Sequence, residues 1–345
     1  MIHKHTLGFW EGHVAYPLEQ HVIHSLWQHY YPDVQHGIIV NITYNVESSL
    51  AWASKLIRTN PVEAVLFTNL VDAMADSTHE KLCQFQNDFS AVDMQLVGYS
   101  QYYFPKYDYL DFWALFMQQH FNDYQDDQLF FQNKPKQHNK VFLCYNRKPH
   151  AHRVHLYESL RGQAPECRDV TWLGTATLGN VDDAHEHGVV SFDHNHTGLE
   201  HQEDLGDDAY GIKAAATALG NMDVWRQSFL TVVAETSADN RAYIPFVTEK
   251  TYKSILGLRP FVIYGDAGIE KYLVSNGYKT FSDRLGMTDF DYVKLNQIIL
   301  ELSEQDLDAL YQEWLPDIMY NRNNFYAHCT RIKRRFGIST LDKTS

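Results

Sequence analysis

Residues 229–281 read FLTVVAETSADNRAYIPFVTEKTYKSILGLRPFVIYGDAGIEKYLVSNGYKTF, and the alternation of elements within them decides the fold class. Phe229–Ala234 is a short apolar, β-branched run, the composition of a buried strand. Glu235–Pro245 is polar, carries Asp239, Asn240 and Pro245, and reads as a loop. Thr248 is suited to cap a helix bearing Glu249, Lys250, Tyr252, Lys253, Ile255 and Leu256. Gly257 is placed to end that helix. Pro260 opens a second apolar strand, Phe261–Tyr264. Gly265–Gly268 turns into another helix, Asn276-Gly277 stops it, and Tyr278–Phe281 reads as a third strand. Strands alternating with helices predict a parallel sheet. In open parallel sheets the ligand crevice lies beyond the carboxyl ends of the strands. The Glu235–Thr248 loop and the Glu249-Lys250 pair are therefore expected to face a ligand.

The rest of the chain repeats this logic twice. Towards the N-terminus, Tyr16–Tyr31 is helical in pattern, with Leu18, Val22, Leu26 and Trp27 as buried positions. Gly37–Ile42, Glu63–Thr68 and Met94–Tyr99 are strands, Glu47–Arg58 is a helix, and an aromatic loop, Tyr102–Tyr109, precedes a helix over Leu110–Tyr124. Gln125–Asn139 is polar and rich in Gln and Asn, and reads as a linker. Beyond it come a strand at Val141–Tyr145, a basic turn from Asn146 to His150, a helix at Ala151–Arg161 and a strand at Asp169–Leu173. Leu302–Ile318 and Asn321–Phe336 read as two C-terminal helices, the second basic. The expectation is an α/β protein with two Rossmann-like domains, 1–135 and 136–345.

Composition narrows the class. A chain of 345 residues with 44% hydrophobic and 14% aromatic side chains can bury two sizeable cores. A net charge of −14 argues against a general nucleic-acid or membrane-surface binder, because counterion release needs a basic face. Cys83, Cys144, Cys167 and Cys329 are scattered and form no C-x-x-C pair, which fits a reducing compartment. The N-terminus lacks the apolar core of a signal peptide, and no run has the length of a membrane span. A cytoplasmic location is expected. No P-loop, no G-x-G-x-x-G after a strand and no G-x-S-x-G elbow occurs, which weakens ATPase, dehydrogenase and hydrolase readings.

Glu235-Thr-Ser, the loop, Val247-Thr248-Glu249-Lys250, the apolar helix and Pro260-Phe-Val-Ile together resemble the nucleotide-sugar motif of α1,3-fucosyltransferase-like and exostosin-like glycosyltransferases. With Gly265 and Gly277-Tyr-Lys-Thr-Phe281 the pattern is also similar to uncharacterised glycosyltransferase-like proteins of bacteria and their phages. The likeness is close over about fifty residues and loose over roughly the last two thirds of the chain. It implies a GT-B-like architecture, with two Rossmann-like domains facing across a cleft, the first holding an acceptor and the second a nucleotide-activated sugar. It also implies catalysis without an essential metal or other cofactor, the nucleotide-sugar being a co-substrate. By the same resemblance Glu249 binds ribose, and Lys250 with an arginine binds phosphate.

The chemistry of such a transfer agrees with those residue types. Breaking the bond to a diphosphate loads negative charge onto the leaving group, which needs fixed cations or helix-end amides. Lys250 in a first helical turn offers both, and Arg147 and Arg153 follow a strand end in the same domain. Exposed first-turn charges and a solvated basic face are the plain alternatives for these residues. Glu235, at a strand end, is a candidate for donor hydroxyls or for orienting Lys250, with an ion pair to a nearby arginine as the plain alternative. Asp239, Asn240 and Tyr243 are loop candidates for the donor. An inverting transfer needs a base for the acceptor hydroxyl, and Glu11, His13 and Asp72 in the first domain are candidates. The His- and acid-rich stretch 179–206 matches no metal-site spacing and reads as a solvated loop. The acceptor is expected to be a saccharide. A phage-type DNA base, disfavoured by the net charge but left open by the basic C-terminal helix, and a non-catalytic sugar-nucleotide or glycan-binding module are the alternatives.

Overall fold

A computed structural model describes residues 2–5, 15–42, 46–70, 76–99, 104–121, 138–146, 151–161, 168–172, 219, 222–238, 245–287 and 289–339. The protein is α/β, with two separate parallel sheets. It divides into two compact units. Unit 1 comprises Met1–Phe116, Asn240–Phe246 and Ala327–Ser345, and unit 2 comprises Met117–Asp239 and Val247–Tyr326. Most of the expected linker, Gln125–Asn139, lies outside the described residues. Among the described residues, no helix is long and apolar enough to cross a membrane.

Unit 1 holds a five-stranded sheet in sequence order, β1 (Ile2–His5), β2 (Gly37–Asn41), β3 (Ala64–Asn69), β4 (Asp93–Gly98) and β5 (Tyr107–Asp108), every neighbouring pair parallel. Helices α1 (Ala15–Tyr30), α2 (Val46–Thr59) and α3 (Asp76–Asp88) make the crossovers, and α4 (Phe112–His120) follows β5. Strands β2 and β3 are buried along their whole length, which explains the apolar runs Ile38-Ile-Val40 and Ala64-Val-Leu-Phe67 that precede their polar last residues. Ile38, Val40, Val65, Phe67 and Leu96 form one core with Ala53 of α2 and Leu82 and Phe85 of α3. The C-terminal segment from Ala327 belongs here too: Asp108 accepts from the Tyr30 hydroxyl at 2.7 Å and from the Arg335 guanidinium.

Unit 2 holds β6 (Lys140–Asn146), α5 (Ala151–Arg161), β7 (Arg168–Trp172), α6 (Met222–Gln227), β8 (Ser228–Ala234), α7 (Glu249–Leu256), β9 (Phe261–Tyr264), α8 (Ile269–Ser275), α9 (Ser282–Leu285), α10 (Tyr292–Ser303) and most of α11 (Leu307–Phe336). Its four strands are parallel in the order β7-β6-β8-β9. Gly257 ends α7 as expected, but its φ of −79° is ordinary. The glycine is required by close approach instead, since a Cβ there would stand 2.4 Å from the Trp225 ring.

Two expectations are corrected. Tyr278–Phe281 is not a strand. Its backbone is satisfied by a side chain: Lys279 N donates to Asn321 Oδ1 and Asn321 Nδ2 donates to Lys279 O, both at 2.8 Å. The helices expected at Leu302–Ile318 and Asn321–Phe336 are also redrawn. The break falls at residues 304–306, where Asp306 Oδ1 accepts from Ala309 N at 3.0 Å, and α11 then runs through Pro316 and Asn321 without interruption. From the same face of α11, Asn324 Nδ2 donates to Asn276 O, at the end of α8, at 3.0 Å.

Candidate functional site

The strand order of unit 2 reverses at one place. From β6 the chain steps to β7 on one side, and later to β8 on the other. Ligand crevices in open α/β sheets lie at such a reversal, beyond the carboxyl ends of the two strands. Those ends carry Asn146 on β6 and Glu235 just after β8, and the first turn of α5 brings His152 and Arg153.

Glu235 is fully buried, and its carboxyl is taken up by the chain itself. Oε1 accepts from Thr248 N at 3.1 Å and Thr251 Oγ1 at 2.6 Å. Oε2 accepts from Thr248 Oγ1 at 2.5 Å and Thr236 N at 3.3 Å. Its backbone carbonyl accepts from His152 Nε2 at 2.9 Å and Arg153 Nη2 at 3.0 Å. One residue thus joins β8, the first turn of α7 and the first turn of α5. Gly265 makes room for it, since a Cβ there would lie 3.0 Å from that of Glu235.

Thr248 caps α7 through Oγ1, which accepts from Lys250 N. Lys250 Nζ donates to Thr236 Oγ1 at 3.0 Å, Thr248 Oγ1 at 3.2 Å and Glu249 Oε1 at 2.9 Å. The side chains of Lys250 and Glu249 are only 20% and 14% exposed, so this ion pair is held rather than solvated. Burial alone would raise the Glu249 carboxyl. The charges of Lys250 and Lys253 and the hydrogen bonds from Lys250 and Thr248 outweigh it and hold the group below its ordinary value.

Arg153 is buried, which pushes its guanidinium down against the pull of Glu249 and Glu235. His152 is pushed down to about 4 by burial, with the charges of Arg153 and Lys250 adding to the shift. Its Nε2 carries the proton donated to the Glu235 carbonyl, which makes Nδ1 the acceptor nitrogen of the neutral ring. Asn146 donates to Cys144 Sγ at 3.3 Å, while its buried Oδ1 meets no donor among the described residues. Burial pushes the Cys144 thiol up to about 12, so it stays protonated.

No protein-family model, curated protein or solved structure significantly matches the chain.

Of the residues singled out in the sequence, the structure gathers Arg153, Glu235, Thr248, Glu249 and Lys250 into one cluster. Arg147, Tyr243, Glu11, His13 and Asp72 lie outside the described residues, as do Asp239, Asn240 and residues 179–206. Sequence reasoning missed His152, Thr251 and Asn146. It also missed Glu19 in unit 1. Glu19 is buried on α1 and accepts from Asn41 Nδ2, at the end of β2, at 2.8 Å. Burial pushes its carboxyl up to about 7, and the Asn41 hydrogen bond only partly offsets this. Its spacing from Val22, Ile23 and Leu26 on the buried face of α1 was a readable signal.

Proposed function

We propose that the chain is a glycosyltransferase that moves a sugar from a nucleotide-activated donor to an acceptor hydroxyl, with the nucleotide bound by unit 2. One observation carries this reading. At the strand-order reversal, two cations from two helical first turns, Arg153 and Lys250, gather with Glu249 around Glu235, which ties both turns to the end of β8. Helix N-termini and fixed cations stabilise a diphosphate leaving group. Lys250 and Arg153 take the phosphates, and Glu249 accepts from ribose hydroxyls. Glu235 acts through Thr248 and Thr236 as a positioning residue, because its oxygens already accept from the chain. No metal is assigned a role.

The acceptor hydroxyl must lose a proton. Glu11, His13 and Asp72, all outside the described residues, are the candidate bases. The test is a thermal-shift screen of nucleoside diphosphates and sugar nucleotides, followed by hydrolysis of whichever donor binds. A chain stabilised by none of them, and hydrolysing none, is not a glycosyltransferase. Binding without hydrolysis or transfer marks a sugar-nucleotide-binding module instead.

A DNA-base acceptor is the second reading, supported by the exposed Arg331, Arg334 and Arg335 at the end of α11. It requires duplex binding that weakens steeply as salt rises.

A further inference from the structure

Beside the polar cluster lies a group of rings that the donor reading has not used. Tyr264 is the last residue of β9, on the carboxyl edge of the sheet and one strand from Glu235. Phe290 stacks on it, with ring centres 4.4 Å apart and planes 19° from parallel. Tyr292 meets both edge-on, at 5.5 and 5.2 Å. All three are only half-buried, although this unit buries Trp225, Tyr252 and Tyr311 almost completely. The rings are held firmly, because Asp291 between Phe290 and Tyr292 caps α10 by accepting from Lys294 N at 2.7 Å. His152 bridges this rim to the polar cluster. Its ring meets Tyr264 edge-on at 5.6 Å, its Nε2 donates to Glu235 O, and its proton affinity registers the charges of Arg153 and Lys250.

We infer that this aromatic rim receives the base of the nucleotide, a planar heterocycle lying against Tyr264 and Phe290 while the phosphates meet Lys250 and Arg153. The inference rests on the donor reading above and adds the base subsite to it. A stacking surface of this kind accepts any base, because every base has a π-face. It supplies affinity for nucleotides as a class rather than the choice among them. Its position beside the cations is what a nucleoside diphosphate requires, with an apolar plane at one end and positive charge at the other.

The experiment titrates the full chain with guanosine, uridine, cytidine and thymidine diphosphates, and with inorganic pyrophosphate, in the wild type and in Phe290→Ala and Phe290→Tyr. Phe290→Ala is expected to weaken the preferred nucleoside diphosphate roughly 10- to 100-fold, leave pyrophosphate unchanged, and be rescued by the ring in Phe290→Tyr. Unchanged nucleotide affinity in Phe290→Ala would place the base elsewhere and overturn this inference, while leaving the donor reading intact. An equal loss for pyrophosphate would show that the rim only supports the fold, and overturns it as well. A wild type that binds none of the four nucleotides removes the donor reading itself, and this inference falls with it.

Discussion

Thr248 is bound twice by Glu235, through its amide to Oε1 at 3.1 Å and through its hydroxyl to Oε2 at 2.5 Å. Each carboxyl oxygen also faces one backbone amide, Thr248 N on Oε1 and Thr236 N on Oε2. Hydroxyls can turn round, but backbone amides cannot. Glu235→Gln therefore sets its new NH₂ group against an N–H donor whichever way it is oriented. The isosteric change is expected to destabilise by about 2–3 kcal/mol, the cost of leaving a buried donor unsatisfied. It should also weaken nucleotide binding by loosening the first turn of α7. Thermal denaturation checks it, and a Glu235→Gln protein that melts with the wild type would show that this network contributes little.

A second prediction concerns the segment wrongly read as a strand. Asn321 exchanges two hydrogen bonds with Lys279, as a neighbouring strand would. Asn321→Ala removes both and is expected to cost about 2 kcal/mol. The Lys279 amide should then exchange its hydrogen much faster than in the wild type. Unaltered protection at that amide would mean that other contacts hold the segment.

The same pair of residues shows what the sequence could and could not tell. Strands β6, β8 and β9 were legible to within about a residue, because a parallel strand buried on both faces must be apolar throughout. Tyr278-Lys-Thr-Phe281 carries strand-like composition too. Composition does not say whether a sheet edge or the carboxamide of Asn321 will satisfy its backbone. Helix α3 was missed because its described core contribution is little more than Leu82 and Phe85. Within the candidate site, Thr248, Glu249 and Lys250 were legible from their cap and helix context. His152 and Asn146 matter only because β6 neighbours β8, and spacing along the chain does not encode that adjacency. Glu235 was legible as a site residue, but not as one whose oxygens are all engaged by threonines and amides.

A third prediction follows from Glu19. Its carboxyl has an ordinary value of 4.5 and sits near 7 in the fold. Below pH 4.5 both folded and unfolded chains hold the proton, so the group costs nothing. As pH rises from 4.5 to 7 the unfolded chain releases it and the folded chain does not. Stability therefore falls across that window, by up to about 3 kcal/mol, and stays reduced above it. Glu19→Gln should raise the melting temperature at about pH 8 and leave it nearly unchanged at about pH 4.5. A variant that melts with the wild type at about pH 8 would show that burial of this carboxyl costs the fold little.

The last prediction separates the two charges on the first turn of α7. Glu249 and Lys250 hold one another at 2.9 Å, and Lys250 also rests on Thr236 and Thr248. Glu249→Gln preserves shape and removes charge, so it should weaken nucleoside and donor alike, with turnover less affected. Lys250→Ala removes a cation from the place where leaving-group charge develops, so turnover should fall as well as affinity, roughly 10²- to 10³-fold for one electrostatic donor. Both proteins should remain folded, since the buried face of α7 is carried by Tyr252, Ile255 and Leu256. Donor hydrolysis measured beside nucleotide affinity distinguishes the two effects. Wild-type turnover in Lys250→Ala would remove the diphosphate from this helix end, leaving the cluster around Glu235 as a structural brace alone.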